Sequence, residues 1–194
     1  MPNGKKPTSE DVKEFWNYMC RHYGTTWKYK PNAWEASVAA YFLDLMKIID
    51  KKTFMERYAF ILGSTIYLPF KPGEVHEIFS FEHQISACIH EHTHWDDACD
   101  LGKFKWNYRY VTSSEQRAIM EARGYRTNME VYHWYTGKML DPVEVANTLK
   151  NYACSKNDIN LAVEFLTRSI KTIQQGGYKS PVTIVGLQKL ISMQ

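Results

Sequence analysis

Residues 85–97 read ISACIHEHTHWDD, and within them His90-Glu91-His92-Thr93-His94 has the form H-E-x-x-H. In a helix, positions i and i+4 share one face, so His90 and His94 can aim their imidazoles at one cation. Glu91 sits beside that face, where a carboxylate can take a proton from a metal-activated water. The apolar residues Ile85, Ala87, Cys88 and Ile89 lead into the motif, so it belongs to a packed helix and not to a loop. With only seven histidines in 194 residues, a chance match is rare, roughly 0.02 for the whole chain.

A catalytic zinc takes three protein ligands and keeps a fourth position for water. Two carboxylates can supply the third ligand. Glu121 lies on a helix expected to begin near Ser113, where Ser113 and Gln116 form a capping box, and to stop at Gly137. Gly124, one turn beyond Glu121, costs about 1 kcal/mol against alanine inside a helix, so it implies close packing there. Asp100 is the alternative, at the eleventh position counted from His90, but Asp97 occupies the eighth position, where a turn would want glycine. Glu121 is therefore preferred. His92 and Asp96, also four apart, read as a solvated pair.

Outward from the motif, the pattern predicts a predominantly helical α+β chain. Ser9, Glu10 and Asp11 open a first helix to about His22. Asn32 and Glu35 open a second, Ala33 to about Ile49, with Val38, Phe42, Leu45 and Ile49 along one stripe. Tyr58 to Phe70, YAFILGSTIYLPF, reads as one or two strands, and Phe81 to about Ala98 as the motif helix. Phe104 to Val111 alternates aromatic and polar residues, which suits a half-buried strand. Asp141-Pro142, Asn157 and Ser180-Pro181 each start a further helix, the middle one ending at Gly176-Gly177. The expected organisation is a single domain over 1–194, with residues 1–8 as a flexible tail and 141–194 as a helical C-terminal extension.

Composition narrows the function classes. The net charge of +3 is too small to argue for nucleic acid, and Lys28, Lys30, Lys47, Lys51 and Lys52 read as a solvated helix end and loop. No apolar run is long enough for a membrane span. Met1 to Val12 has no apolar segment behind its lysines, so a cytoplasmic protein is expected as synthesised. Cys20, Cys88, Cys99 and Cys154 form no C-x-x-C pair and read as free thiols. Aromatic residues, 14% of the chain, are in excess. Trp16, Trp27, Trp34, Trp106 and Trp134 can serve a core or a partner interface.

Three segments resemble the zincin superfamily of metallopeptidases, and more narrowly the zincin-like proteins of phages, prophages and bacteria. They are LGSTIYLPFKPG (62–73), ISACIHEHTHWDD (85–97) and SSEQRAIMEARGYRTNMEVYHWYTG (113–137), together about the middle third of the chain. In such proteins the glutamate of a following E-A-x-x-Y helix completes the metal site, here Glu121-Ala122-Arg123-Gly124-Tyr125. Tyr125 stands where thermolysin-like members carry an aspartate that supports a metal histidine. The resemblance implies a zincin-like fold with a small sheet beside the motif helix. It also implies zinc on His90, His94 and Glu121, and hydrolysis of a peptide or related amide by a zinc-activated water with Glu91 as general base. An oxyanion donor is needed as well, with Tyr125, Tyr108, Tyr110 and His133 as candidates and Tyr125 foremost. The competing expectation is a non-catalytic structural or partner-binding protein on the same scaffold, such as a phage particle or ejection component, which would place it in the virion.

Overall fold

The computed structural model describes residues 4–177 and 180–194. Among the described residues, nine α-helices and three short strands follow in the order α1 (Ser9–Tyr23), β1 (Thr26–Tyr29), α2 (Trp34–Leu45), α3 (Lys51–Arg57), β2 (Phe60–Leu62), β3 (Thr65–Leu68), α4 (Phe81–Leu101), α5 (Lys103–Thr112), α6 (Ser114–Thr136), α7 (Pro142–Asn147), α8 (Lys156–Gln174) and α9 (Pro181–Ser192). The architecture is α+β and predominantly helical, as expected. No helix among the described residues is long and apolar enough to cross a membrane. All four cysteines are free.

The sheet has the order β1-β3-β2. β1 runs parallel to β3, with Trp27 opposite Ile66, and β2 runs antiparallel, with Ile61 opposite Ile66. The β2-β3 hairpin turns at Gly63, whose φ of +61° is a conformation glycine adopts without penalty. Strand β1 was not anticipated, because four residues (TWKY) carry too short an alternation to stand out.

Two apolar cores flank the α4–α6 pair. The first gathers Phe15, Trp16 and Met19 of α1, Ile66 and Leu68 of β3, Ile85, Cys88 and Ile89 of α4, and Val182, Leu187 and Leu190 of α9. The second gathers Phe54 of α3, Ala118, Ala122 and Met129 of α6, and Ile159, Ala162, Leu166 and Ile173 of α8. The segment expected as a C-terminal extension thus supplies walls to both cores. The fully buried Gln84 side chain orders the stretch between β3 and α4: its Oε1 accepts from the Gly73 N–H, and its amide donates to the carbonyls of Glu74 and Phe79. The tail expected over residues 1–8 lies outside the described residues for 1–3. From Gly4 the chain rests on the rings of Trp134 and Tyr135, and Thr8 caps α1.

Several expectations are corrected. Residues 103–112 form helix α5 and not a strand. An aromatic at every second position contains pairs at i, i+4, which also share a helix face. Trp106 and Tyr110 face inward, while Phe104 (90% exposed) and Tyr108 (64%) face water. Capping positions shift: Thr8 with Asp11 caps α1 where Ser9 was expected, and Ser155 with Asp158 caps α8, two residues before Asn157. Asn32 lies in a 3-10 turn, Lys30–Asn32, that gives way to α2 without a side-chain cap.

Helix α2 is also turned over relative to its expected stripe. It buries Ala36 and Ala40 and exposes Trp34, Val38, Tyr41, Phe42 and Leu45. Its small residues are what fit against the sheet, where Ala33 and Ala36 pack on Tyr67. The stripe ends early, since Lys47 takes a positive φ and the buried Ile48 and Ile49 lie beyond the helix. Phe42→Ser should therefore shift stability by about 0.5 kcal/mol or less. Phe54→Ala, which empties a buried site, should cost about 3–5 kcal/mol. Urea denaturation of the two variants separates these outcomes.

Candidate metal centre

The motif helix α4 and helix α6 meet at the seam between the two cores. Ser80 caps α4 by accepting from the His83 N–H, and Ser113 caps α6 by accepting from the Gln116 N–H. In between, α5 closes the connection. Glu121 is brought to the two histidines by a close approach at Gly124. A Cβ placed there would lie 2.5 Å from both Cε1 and Nε2 of His90, so only a bare Cα admits this imidazole. The glycine does favour close packing, as its place in the sequence implies, but what it accommodates is the imidazole.

His90 Nε2 lies 3.0 Å from His94 Nε2 and 3.5 Å from Glu121 Oε2, and His94 Nε2 lies 3.7 Å from Glu121 Oε1. The potential ligand atoms of these three side chains all fall within 4.8 Å of one another. A tetrahedral ion with ligands at about 2.0–2.1 Å has ligand–ligand edges of about 3.3 Å, and the nearest approaches among the three side chains are of that size. What carries the fit is the donor set, two imidazoles and one carboxylate, with each imidazole 3.5–3.7 Å from its nearer Glu121 oxygen. A buried atom without a partner points the same way: Glu121 Oε2 has no hydrogen bond within the protein. Asp100 is exposed on α4 and takes no part in the cluster.

Glu91 is 6% exposed, and its Oε2 also lacks a hydrogen-bond partner. Burial pushes its carboxyl up to about 7, against the pull of His90, with Glu121 adding to the rise. Burial drives His94 down to about 4. His90 is held above the ordinary imidazole value: burial opposes its charge, but Glu121, Glu91 and Asn128 together outweigh it. Burial likewise opposes the charge on Glu121, and the two imidazoles and Tyr110 overcome it, so this carboxylate sits below its usual range.

Of the groups around the triad, Tyr110 and Tyr125 were expected beside it as oxyanion donors and take other roles, and Asn128 was not anticipated. Asn128, on α6, adds to the rise of His90 and accepts from Ser86 at 3.1 Å. Tyr125 instead packs edge-on against the His90 ring at 5.5 Å. Trp106 lies 5.5 Å from the His94 ring, and Tyr110 donates to Glu121 Oε1 at 2.7 Å. Of the other oxyanion candidates, Tyr108 is exposed, and His133 sits near the end of α6, its carbonyl accepting the Gly137 N–H. Asp97 binds Arg123 at 2.6 Å and ties α4 to α6. His92 is not solvated: it is fully buried, with Nε2 on the Thr25 hydroxyl and Nδ1 on the Cys88 carbonyl.

Lys30 is another departure, a fully buried lysine where a solvated one was expected. Its Nζ donates to the carbonyls of Phe54 and Tyr58 at the end of α3 and lies 3.6 Å from the Phe54 ring centroid. Its charge acts on Glu91.

No protein-family model, curated protein or solved structure matches the chain.

Two outcomes follow. Gly124→Val should displace His90, weakening any zinc binding and costing about 1–3 kcal/mol of stability in urea melts. Burial lowers the folded Lys30 amine from 10.5 to about 7. Between those values the unfolded chain holds a proton that the folded chain lacks, so stability contributed at this position rises with pH. Relative to Lys30→Met, the native protein should gain stability from about pH 7 toward pH 10, measured as the difference between paired urea melts across that range.

Proposed function

We propose that the protein is a zinc-dependent hydrolase of a peptide or related amide bond on a zincin-like scaffold. His90, His94 and Glu121 hold the metal and Glu91 is the general base. The observation that carries this reading is Glu91 itself. A structural metal site has no use for a further buried carboxyl beside the ligand triangle with an oxygen left unpartnered. A zinc ion would supply Lewis acidity and lower the pKa of water to about 7.

Glu91, with its carboxyl near 7, then accepts the proton of the attacking water and returns it to the leaving amine. Lys30 favours the ionised carboxylate and so readies it to accept. Trp106 packs on the ring of His94. β2 is an edge strand that packs against α4, so an extended peptide added along its free edge would run beside the motif helix.

One observation favours a second reading. His90, Glu91, His94 and Glu121 are each 7% exposed or less, so a substrate reaches them only after the surroundings open. A non-catalytic, partner-binding protein with a structural metal, such as a component of a phage particle, needs no such opening.

Measuring bound zinc and screening a broad peptide library decides between them. The hydrolase should carry about one zinc per chain. Glu91→Gln should keep the metal and lose roughly 10²–10⁴-fold or more in rate. His90→Ala and Glu121→Ala should lose the metal. Full activity in Glu91→Gln would remove the general-base assignment, and stoichiometric zinc with no hydrolysis of any peptide would favour the structural reading.

A further inference from the structure

The two oxygens of Glu121 are treated differently by the protein. Oε1 accepts a 2.7 Å hydrogen bond from the Tyr110 hydroxyl, whereas Oε2 is buried without a partner and lies 3.5 Å from His90 Nε2. We propose that Tyr110 is a positioning residue for Glu121: it occupies Oε1 so that the carboxylate offers a divalent cation such as zinc one oxygen, Oε2, and not two. This rests on the reading of His90, His94 and Glu121 as a metal site.

Three features hold the hydroxyl in place. The Tyr110 ring stacks on Trp106, with centroids 5.2 Å apart and planes 16° from parallel, and Trp106 in turn packs on His94. The Tyr110 carbonyl accepts from Arg117 Nη1 at 2.6 Å. Arg117 is buried on α6 one turn before Glu121, and its Nε donates to the Tyr152 carbonyl at 2.7 Å, so donor and acceptor are fixed to one scaffold.

The chemical consequence concerns coordination number. A carboxylate that binds through both oxygens takes two positions on the ion. One held at Oε1 takes a single position, so that two imidazoles and one oxygen leave a place free for water. Tyr110→Phe keeps the ring and its stacking and removes only the donor.

The test compares wild-type protein, Tyr110→Phe and, as a control from the exposed face of the same helix, Tyr108→Phe. Zinc affinity is read by competition with a chromophoric chelator, and geometry from the visible absorption of the cobalt(II)-loaded proteins. Tyr110→Phe should bind zinc about 10–100-fold more weakly. Its cobalt band should lose intensity as a four-coordinate ion becomes five-coordinate, while Tyr108→Phe matches wild type.

Should Tyr110→Phe fail to fold, the infrared difference spectrum of wild-type protein on zinc addition answers the same question. A wide splitting of the carboxylate stretches supports one-oxygen binding, and a narrow splitting overturns the proposal. Wild-type affinity and an unchanged cobalt spectrum in Tyr110→Phe also overturn it while leaving the metal site standing. A wild-type protein that takes up neither zinc nor cobalt removes the metal site and the proposal together.

Discussion

The contact between the His90 imidazole and the bare Cα of Gly124 sets how near α6 comes to α4. Everything at the seam follows from that spacing. Glu121, one turn before Gly124, is carried to within 3.5 Å of His90 and 3.7 Å of His94. Asn128, one turn after it, acts on the same imidazole. Arg123, beside it, meets Asp97 and fixes the register of the two helices. A wider spacing would part the carboxylate from the imidazoles and leave a buried carboxylate with little to offset its desolvation.

The seam also explains why the site is tightly held. α4 turns Ile85, Cys88 and Ile89 toward one core, and α6 turns Ala118, Ala122 and Met129 toward the other. The polar faces of both helices are left toward each other, where imidazoles and carboxylates can satisfy one another in part. The strongly displaced protonation of Glu91 and His94 is the electrostatic record of that burial.

What could be read in the sequence is what is local or periodic. The spacing of His90 and His94, the caps at Ser113 and Asp141, and the stop at Gly137 are written in a few adjacent residues. Glu121 was accessible because Gly124 marked a close contact from within its own helix. Helix α5 was not, because its aromatic spacing satisfies two periods at once and only burial separates Trp106 from Phe104. Lys30 and Asn128 were missed as neighbours of the site for a related reason, and Tyr110, expected there as an oxyanion donor, was not recognised as a partner of Glu121. Each acquires its role from a partner on another element, and a lone lysine, tyrosine or asparagine carries no mark of that partner. The inverted α2 has the same origin: its pattern of large residues gives a face, but the sheet selects the small one.

Helix α9 packs against α1 and α4, placing Val182, Leu187 and Leu190 in the core that also holds Phe15 and Ile89. Its Gly186 lies so close to Ile89 that a Cβ there would come within 2.7 Å of that side chain. Lys189 reaches Glu14 across 175 positions of sequence. During synthesis, then, the helix that carries the H-E-x-x-H motif is made about halfway along but stays uncovered on one side until residues 181–192 appear. The apolar side of α4 must be kept from other contacts in the interval.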